Sequence, residues 1–129
     1  MITAILDASA LLAVLLDEPG SEKVRSALAS AGISEVNLSE VIGHFSRNGA
    51  AESDIRTVLD PLPVERYPFD GELAYSAGLL LPLTKSAGLS FGDRACLALA
   101  KRIGVRVLTA DRAWLKIANS VAIEIEVIR

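Results

Sequence analysis

Short unbroken apolar runs alternate along the chain with longer stretches whose apolar residues recur at helical spacing. Ile2 to Leu6 is such a run and stops at Asp7, which predicts a buried strand. Ala8 to Leu16 is rich in Ala and Leu and closes at Asp17-Glu18-Pro19-Gly20, so it predicts a helix with a firm stop. Ser21 to Ala31 carries Val24, Leu28 and Ala31 at helical spacing, and Ile33-Ser34 predicts a two-residue strand. A helix is expected from Ser39 through Val41, Ile42 and Phe45 to Asn48-Gly49, then a polar helix over Glu52 to Leu59. Val64 to Tyr67, bounded by Pro63 and Pro68, reads as a further short strand. Asp70 to Ala87 has helical composition, with a kink or break expected at Pro82. Ser90 to Arg102 predicts a clear helix stopped by Gly104, and Val105 to Leu108 the second well-defined strand. Arg112 to Asn119 reads as a short helix. Ile123 to Ile128 alternates Ile and Val with Glu124 and Glu126, as an edge strand with one charged face does. Strands alternating with helices imply an α/β protein with a parallel sheet. No repeat or linker interrupts the pattern, so one domain is expected over residues 1–129.

Composition narrows the chemistry. The chain is 51% hydrophobic and 22% charged, which excludes a disordered tail. A single Cys (Cys96) forbids an internal disulfide, and a single His (His44) forbids a multi-histidine metal site, so any metal must sit on oxygen. No apolar run approaches the roughly 18 residues of a membrane span, and Met1 to Leu6 has no basic flank. A soluble cytoplasmic protein without a membrane association is expected. Mean hydropathy is +0.41, high enough to predict apolar surface that an oligomer or partner covers. The net charge of −3 is unevenly spread. Acids outnumber bases from Asp17 to Glu72. From Lys85 to Lys116 the bases Lys85, Arg94, Lys101, Arg102, Arg106, Arg112 and Lys116 are interrupted only by Asp93 and Asp111. Either solvated helix faces or a basic surface for nucleic acid fits that run.

No phosphate-binding Gly-rich loop, no GxGxxG after the first strand and no GxSxG elbow is present. What remains is a set of carboxylates. Asp7 ends the first strand, Asp111 follows the second well-defined one, and Glu40 and Asp93 are expected at the starts of helices. Ligands of open parallel sheets bind at the carboxyl ends of strands, so all four acids could meet on one rim. Such a cluster repels itself unless a cation neutralises it, and Mg²⁺ takes few carboxylates plus water and phosphate oxygens. That is the arrangement metal-assisted phosphodiester hydrolysis requires. Separate helix caps explain the same residues: Asp7 before Ala8, Asp111 before Arg112, and capping-box spacing in Asn37-Leu38-Ser39-Glu40 and Ser90-Phe91-Gly92-Asp93. Ser9 and Thr109 fit either as supports of Asp7 and Asp111 or as turn residues. Arg47, Arg94 and Arg112 fit either as phosphate contacts or as exposed cations, and His44, on the Glu40 face, either as a proton-transfer group or as a rim residue. Spacing alone leaves these pairs of readings open.

Four segments carry a family resemblance: Ile5-Leu6-Asp7-Ala8-Ser9-Ala10-Leu11, Leu38-Ser39-Glu40-Val41, Leu89-Ser90-Phe91-Gly92-Asp93-Arg94-Ala95-Cys96-Leu97-Ala98-Leu99-Ala100 and Leu108-Thr109-Ala110-Asp111. In that order they resemble the PIN-domain ribonucleases of the VapC toxin type, found in toxin–antitoxin pairs. The third segment is distinctive; nothing between Ile42 and Gly88 is diagnostic. The resemblance implies a PIN-like fold, a central parallel sheet of four or five strands with helices on both faces. It implies that Asp7, Glu40, Asp93 and Asp111 are the catalytic, metal-holding acids, supported by Ser9 and Thr109. It implies Mg²⁺, with Mn²⁺ able to substitute, and endonucleolytic cleavage of RNA, with transfer RNA a family-level expectation. It also implies a homodimer silenced by a VapB-like antitoxin. Two other classes compete. A phosphoacceptor receiver domain is disfavoured, because Asp54 and Asp60 lie in polar helix-like sequence and no Lys follows the Val105 strand. A non-catalytic PIN-like module that only pairs with an antitoxin or nucleic acid is the remaining alternative.

Overall fold

Ala4–Leu6 forms β1, and all three residues are buried. A strand covered on both faces cannot alternate apolar with polar, which explains the unbroken run. Ala4 and Leu6 face one core while Ile5 faces the other. The computed structural model, which describes residues 1–129, joins β1 to β2 (Ala31–Ser34), β3 (Glu65–Tyr67), β4 (Arg106–Thr109) and β5 (Ile125–Val127). Every pairing is parallel, and the order is β3-β2-β1-β4-β5. Leu6 stands beside Ile33 on one side and Leu108 on the other. β1 is therefore central, and β5 is an edge, as its charged alternation predicts.

The helices are α1 (Ala8–Leu15), α2 (Ser21–Ala27), α3 (Glu35–Arg47), α4 (Glu52–Leu59), α5 (Gly71–Leu79), α6 (Leu81–Thr84), α7 (Phe91–Ile103) and α8 (Ala118–Val121). On one face of the sheet Leu11, Val24, Val41, Ile55 and Leu59 from α1 to α4 pack on Leu6, Ile33 and Leu108. On the other, Leu73, Leu97, Leu99 and Trp114 pack on Ile5 and Val107. Each aliphatic side chain so buried contributes roughly 1.5–3 kcal/mol. Helix α7 is the most enclosed, with Ala95 through Ala100 all buried as it packs on α5, α3 and the strands. Its ends are set by a Ser90–Asp93 capping box and by Gly104 in the left-handed region.

Several boundaries differ from expectation. The third helix begins at Glu35, not Ser39, because Ser34 at the end of β2 caps it by accepting from the Val36 N–H. Glu40 is thus in the second turn, and Asn37 is inside the helix rather than a cap. The Asp70–Ala87 stretch divides into α5, α6 and a 3₁₀ turn at Lys85–Ala87; Pro82 sits in the first turn of α6, where its missing N–H costs nothing. The helix expected from Arg112 is a 3₁₀ segment to Lys116 followed by α8. The basic run is partly neutralised: Arg102 pairs with Asp70 at 2.8 Å and Arg106 with Glu126 at 3.2 Å, whereas Lys85, Lys101 and Lys116 are exposed. No helix is long and apolar enough to cross a membrane.

Candidate functional site

The strand order reverses between β1 and β4, since β2 lies beyond the first and β5 beyond the second. The crevice above such a switch point is where open α/β sheets take their ligands. Asp7 and Asp111 follow the carboxyl ends of these two strands, so the topology sets them at the same opening.

Asp7 is held most tightly. Only 5% of it is exposed. Its Oδ1 accepts from Ser9 Oγ at 2.7 Å and from the Ala10 N–H at 2.8 Å, and its Oδ2 accepts from Thr109 Oγ1 at 2.6 Å. The cap reading and the site reading of Asp7 are therefore compatible, because one oxygen caps α1 while the other turns toward β4. Burial is the main influence on its acidity. It outweighs the three hydrogen bonds, and with the nearby Asp93 charge it pushes the carboxyl from 3.8 up to about 6. Ser9 and Thr109 also organise the backbone after β4: Ser9 Oγ accepts from the Ala110 N–H at 2.9 Å, and Thr109 Oγ1 from the Asp111 N–H at 3.1 Å. Asp111 itself caps the 3₁₀ segment by accepting from the Ala113 N–H.

Asp93 stands in the first turn of α7 and accepts from the Ser90 N–H at 2.9 Å. Burial raises its pKa, and the negative charge of Asp111 adds to that rise. Glu40, on α3, is exposed but not free. Asn37 Nδ2 donates to Glu40 Oε1 at 2.9 Å and to the Gly92 carbonyl, also at 2.9 Å. The same carboxylate rests on Gly92, where an added Cβ would collide with Glu40 Oε2. Beneath the group lies Cys96, fully buried. Its thiol is pushed well above the ordinary range by burial and then by the charges of Asp7, Asp93 and Glu40, so it stays neutral. The buried thiol is thus near enough to Asp7, Asp93 and Glu40 for their charges to act on it, and Asp93 near enough to Asp111.

The cations are more dispersed. Arg94 adjoins Asp93 and lowers its pKa slightly; its Nη1 reaches the Leu89 carbonyl at 3.4 Å, while its buried Nε has no partner. Arg112 is exposed and donates to the Arg129 carbonyl. Arg47 ends α3, 3.5 Å from His44 Nδ1, and His44 stacks edge-on with Phe45. Two concavities, of about 430 and 540 Å³, lie elsewhere on the molecule, and none of the four acids lines them. In the sequence Gly92 carries no signal of its own, and Asn37 fits a helix cap. The Asn-x-x-Glu spacing was the available signal, but it does not distinguish a cap from a side chain that reaches a second helix.

The donor set suits a hard cation, being all oxygen, crowded with negative charge and partly buried. No three His, Cys, Asp or Glu side chains form a ready cage for an ion. Mg²⁺ does not need one, since it binds through one or two carboxylates and completes its shell with water and phosphate. The residues therefore fit such an ion.

The family model of the PIN domain matches residues 4–120, and the chain belongs to the PIN-domain family. The fold is shared with solved toxin–antitoxin structures. The DNA-bound VapBC from Salmonella typhimurium superposes with a TM-score of 0.77 at 20% identity, covering 100% of both chains. VapBC2 from Rickettsia felis, bound to a DNA fragment from its promoter, gives 0.73 at 17% identity, covering 97% of this chain and 98% of that one. VapBC-5 from Mycobacterium tuberculosis gives 0.64 at 22% identity, covering 98% and 99%. At these identities the likeness is one of fold. No curated protein matches the chain's sequence.

Proposed function

We propose that this protein is a metal-dependent endoribonuclease acting as the toxin of a VapBC-type pair. What supports the proposal is that Asp7 and Asp111 follow the adjacent strands β1 and β4 at the switch point of a PIN-family sheet, with Asp93 close enough to both for their charges to bear on one another. Asp7, Asp93 and Asp111, with Glu40 directly or through water, would hold Mg²⁺, or Mn²⁺ in its place. Such an ion polarises a phosphodiester and makes water a stronger nucleophile. The protein's own part is orientation. Thr109 and Ser9 fix both oxygens of Asp7, and the Ser90 backbone fixes Asp93. Arg94, Arg112 and Arg47 are the cations available to the RNA backbone. Water attack at phosphorus with rupture of the P–O3′ bond leaves a 3′-hydroxyl and a 5′-phosphate, with no use of the RNA 2′-hydroxyl. Transfer RNA is the substrate expected from the family resemblance.

The neighbours in fold are toxin–antitoxin complexes, which supports a VapB-like antitoxin as partner. A homodimer accords with the exposed stripe of Tyr75, Leu79 and Leu83, spaced four residues apart along α5 and α6. Calorimetric titration of Mn²⁺ into chelator-free protein tests the proposal, beside Asp7→Asn and Asp93→Asn. Saturable binding in the parent, lost in both variants, is expected, together with RNA products bearing 5′-phosphates. Absence of binding even with a non-cleavable oligonucleotide present would leave a non-catalytic binding module, and a 2′,3′-cyclic phosphate product would refute water attack.

A further inference from the structure

We infer that Asn37 is a positioning residue for Glu40, and that Gly92 is the seat its carboxylate requires. The inference rests on the acidic-site reading and extends it to two residues outside the four acids. Asn37 is 1% exposed, yet it lies directly under an exposed glutamate. Both of its bonds come from Nδ2, one to Glu40 Oε1 on its own helix and one to the Gly92 carbonyl on α7. Both partners are acceptors, so the amide can face only one way. The pair of bonds ties the second turn of α3 to the first turn of α7. Gly92 immediately precedes Asp93, so the tie sets the separation of two of the four acids.

Packing alone does not account for an amide at this position. Asn37 Oδ1 is buried with no donor, a cost that an apolar side chain of the same size would avoid. Nor does helix formation account for Gly92, since glycine weakens a helix. Its lack of a Cβ is what lets the Glu40 carboxylate lie against the α7 backbone. An exposed glutamate otherwise samples several rotamers; here one acceptor oxygen and one face of the carboxylate are already committed.

The test has a metal-free part and a Mn²⁺ part. In ¹⁵N-labelled, metal-free protein the Asn37 side-chain amide protons should exchange slowly; rapid exchange would show that the clasp does not form and would overturn the inference. Mn²⁺ is then titrated calorimetrically into the parent, Asn37→Leu and Gly92→Ala, each also combined with Glu40→Gln, with Trp114 fluorescence confirming the native core. Asn37→Leu and Gly92→Ala disturb the clasp from opposite sides, so one suffices if the other does not fold. Each should weaken Mn²⁺ about 10-fold or more, and neither should add further loss to Glu40→Gln. Unchanged affinity in a folded variant, or a loss that adds in full to that of Glu40→Gln, would sink the inference while the metal site stands. A parent that binds no Mn²⁺, with or without a phosphorothioate oligonucleotide, would instead remove the acidic-site reading, and the positioning role with it.

Discussion

Replacing Asp7 by Asn should make the metal-free protein more stable at neutral pH. Burial holds the folded carboxyl at about 6 against an ordinary 3.8. The folded state therefore binds more protons than the unfolded state between about pH 4 and pH 6. The stability linked to Asp7 is fully present below about pH 4 and is lost as pH rises through about 6. Each pKa unit corresponds to about 1.4 kcal/mol, so the ionised Asp7 costs about 3 kcal/mol above pH 7. Asparagine resembles the protonated acid in shape and charge. Its Oδ1 can still accept from Ser9 and the Ala10 N–H, and Thr109 Oγ1 can turn to accept from Nδ2. Urea unfolding of parent and variant in chelator at pH 7.5 and pH 4.5 reads the effect together with the relief of Asp93, whose charge Asp7 feels, while titrating groups remote from Asp7 cancel between the two proteins. The variant should gain about 2–3 kcal/mol at pH 7.5 and much less at pH 4.5. A variant no more stable than the parent at pH 7.5, or a difference independent of pH, would refute the desolvated-carboxylate argument.

Thr109→Val keeps the buried volume but removes the 2.6 Å donor to Asp7 and the acceptor for the Asp111 N–H. It should cost about 1.5–3 kcal/mol at pH 7.5, read by urea unfolding, and less at acid pH where Asp7 is neutral. Gly20→Ala places a Cβ against the Ile128 carbonyl at a φ of +90°. It should lower stability by about 1–3 kcal/mol from backbone strain alone, measured as a fall in the thermal midpoint without change in Mn²⁺ binding.

Two of the three inner strands were legible because they are buried on both faces, whereas β2, equally buried, was legible only at Ile33-Ser34 because Ala31 continues the helical spacing before it. Ala4–Leu6 and Arg106–Thr109 leave an apolar signature that needs no knowledge of neighbours. The Ser90 helix was legible because its capping box and its Gly104 stop are local chemistry. The start of α3 was not, since Asn37 has capping-box spacing to Glu40 while Ser34 reads as the end of a strand. The choice fell to Ser34 because β2 delivers it to the Val36 N–H while α7 draws Asn37 away. Pro82 punctuates the Asp70–Ala87 stretch as expected, but whether it kinks one helix or opens a second depends on the packing of Leu80 and Thr84.

Among the candidate site residues, sequence placed Asp7, Asp111 and Asp93 at strand ends and a helix start, because those are local features, whereas Glu40 proved to lie in the second turn of α3. Sequence could not choose between caps and a shared site. The strand order is a tertiary fact, and it brings Asp7 and Asp111, more than a hundred residues apart, to one opening. Tertiary structure likewise decided the burial that pushes the Asp7 carboxyl up and the hydrogen bonds from Asn37 to Glu40 and Gly92. Local propensity acts over a few residues and is written in the chain. Desolvation and contacts between distant segments exist only once the sheet has closed between its two layers of helices.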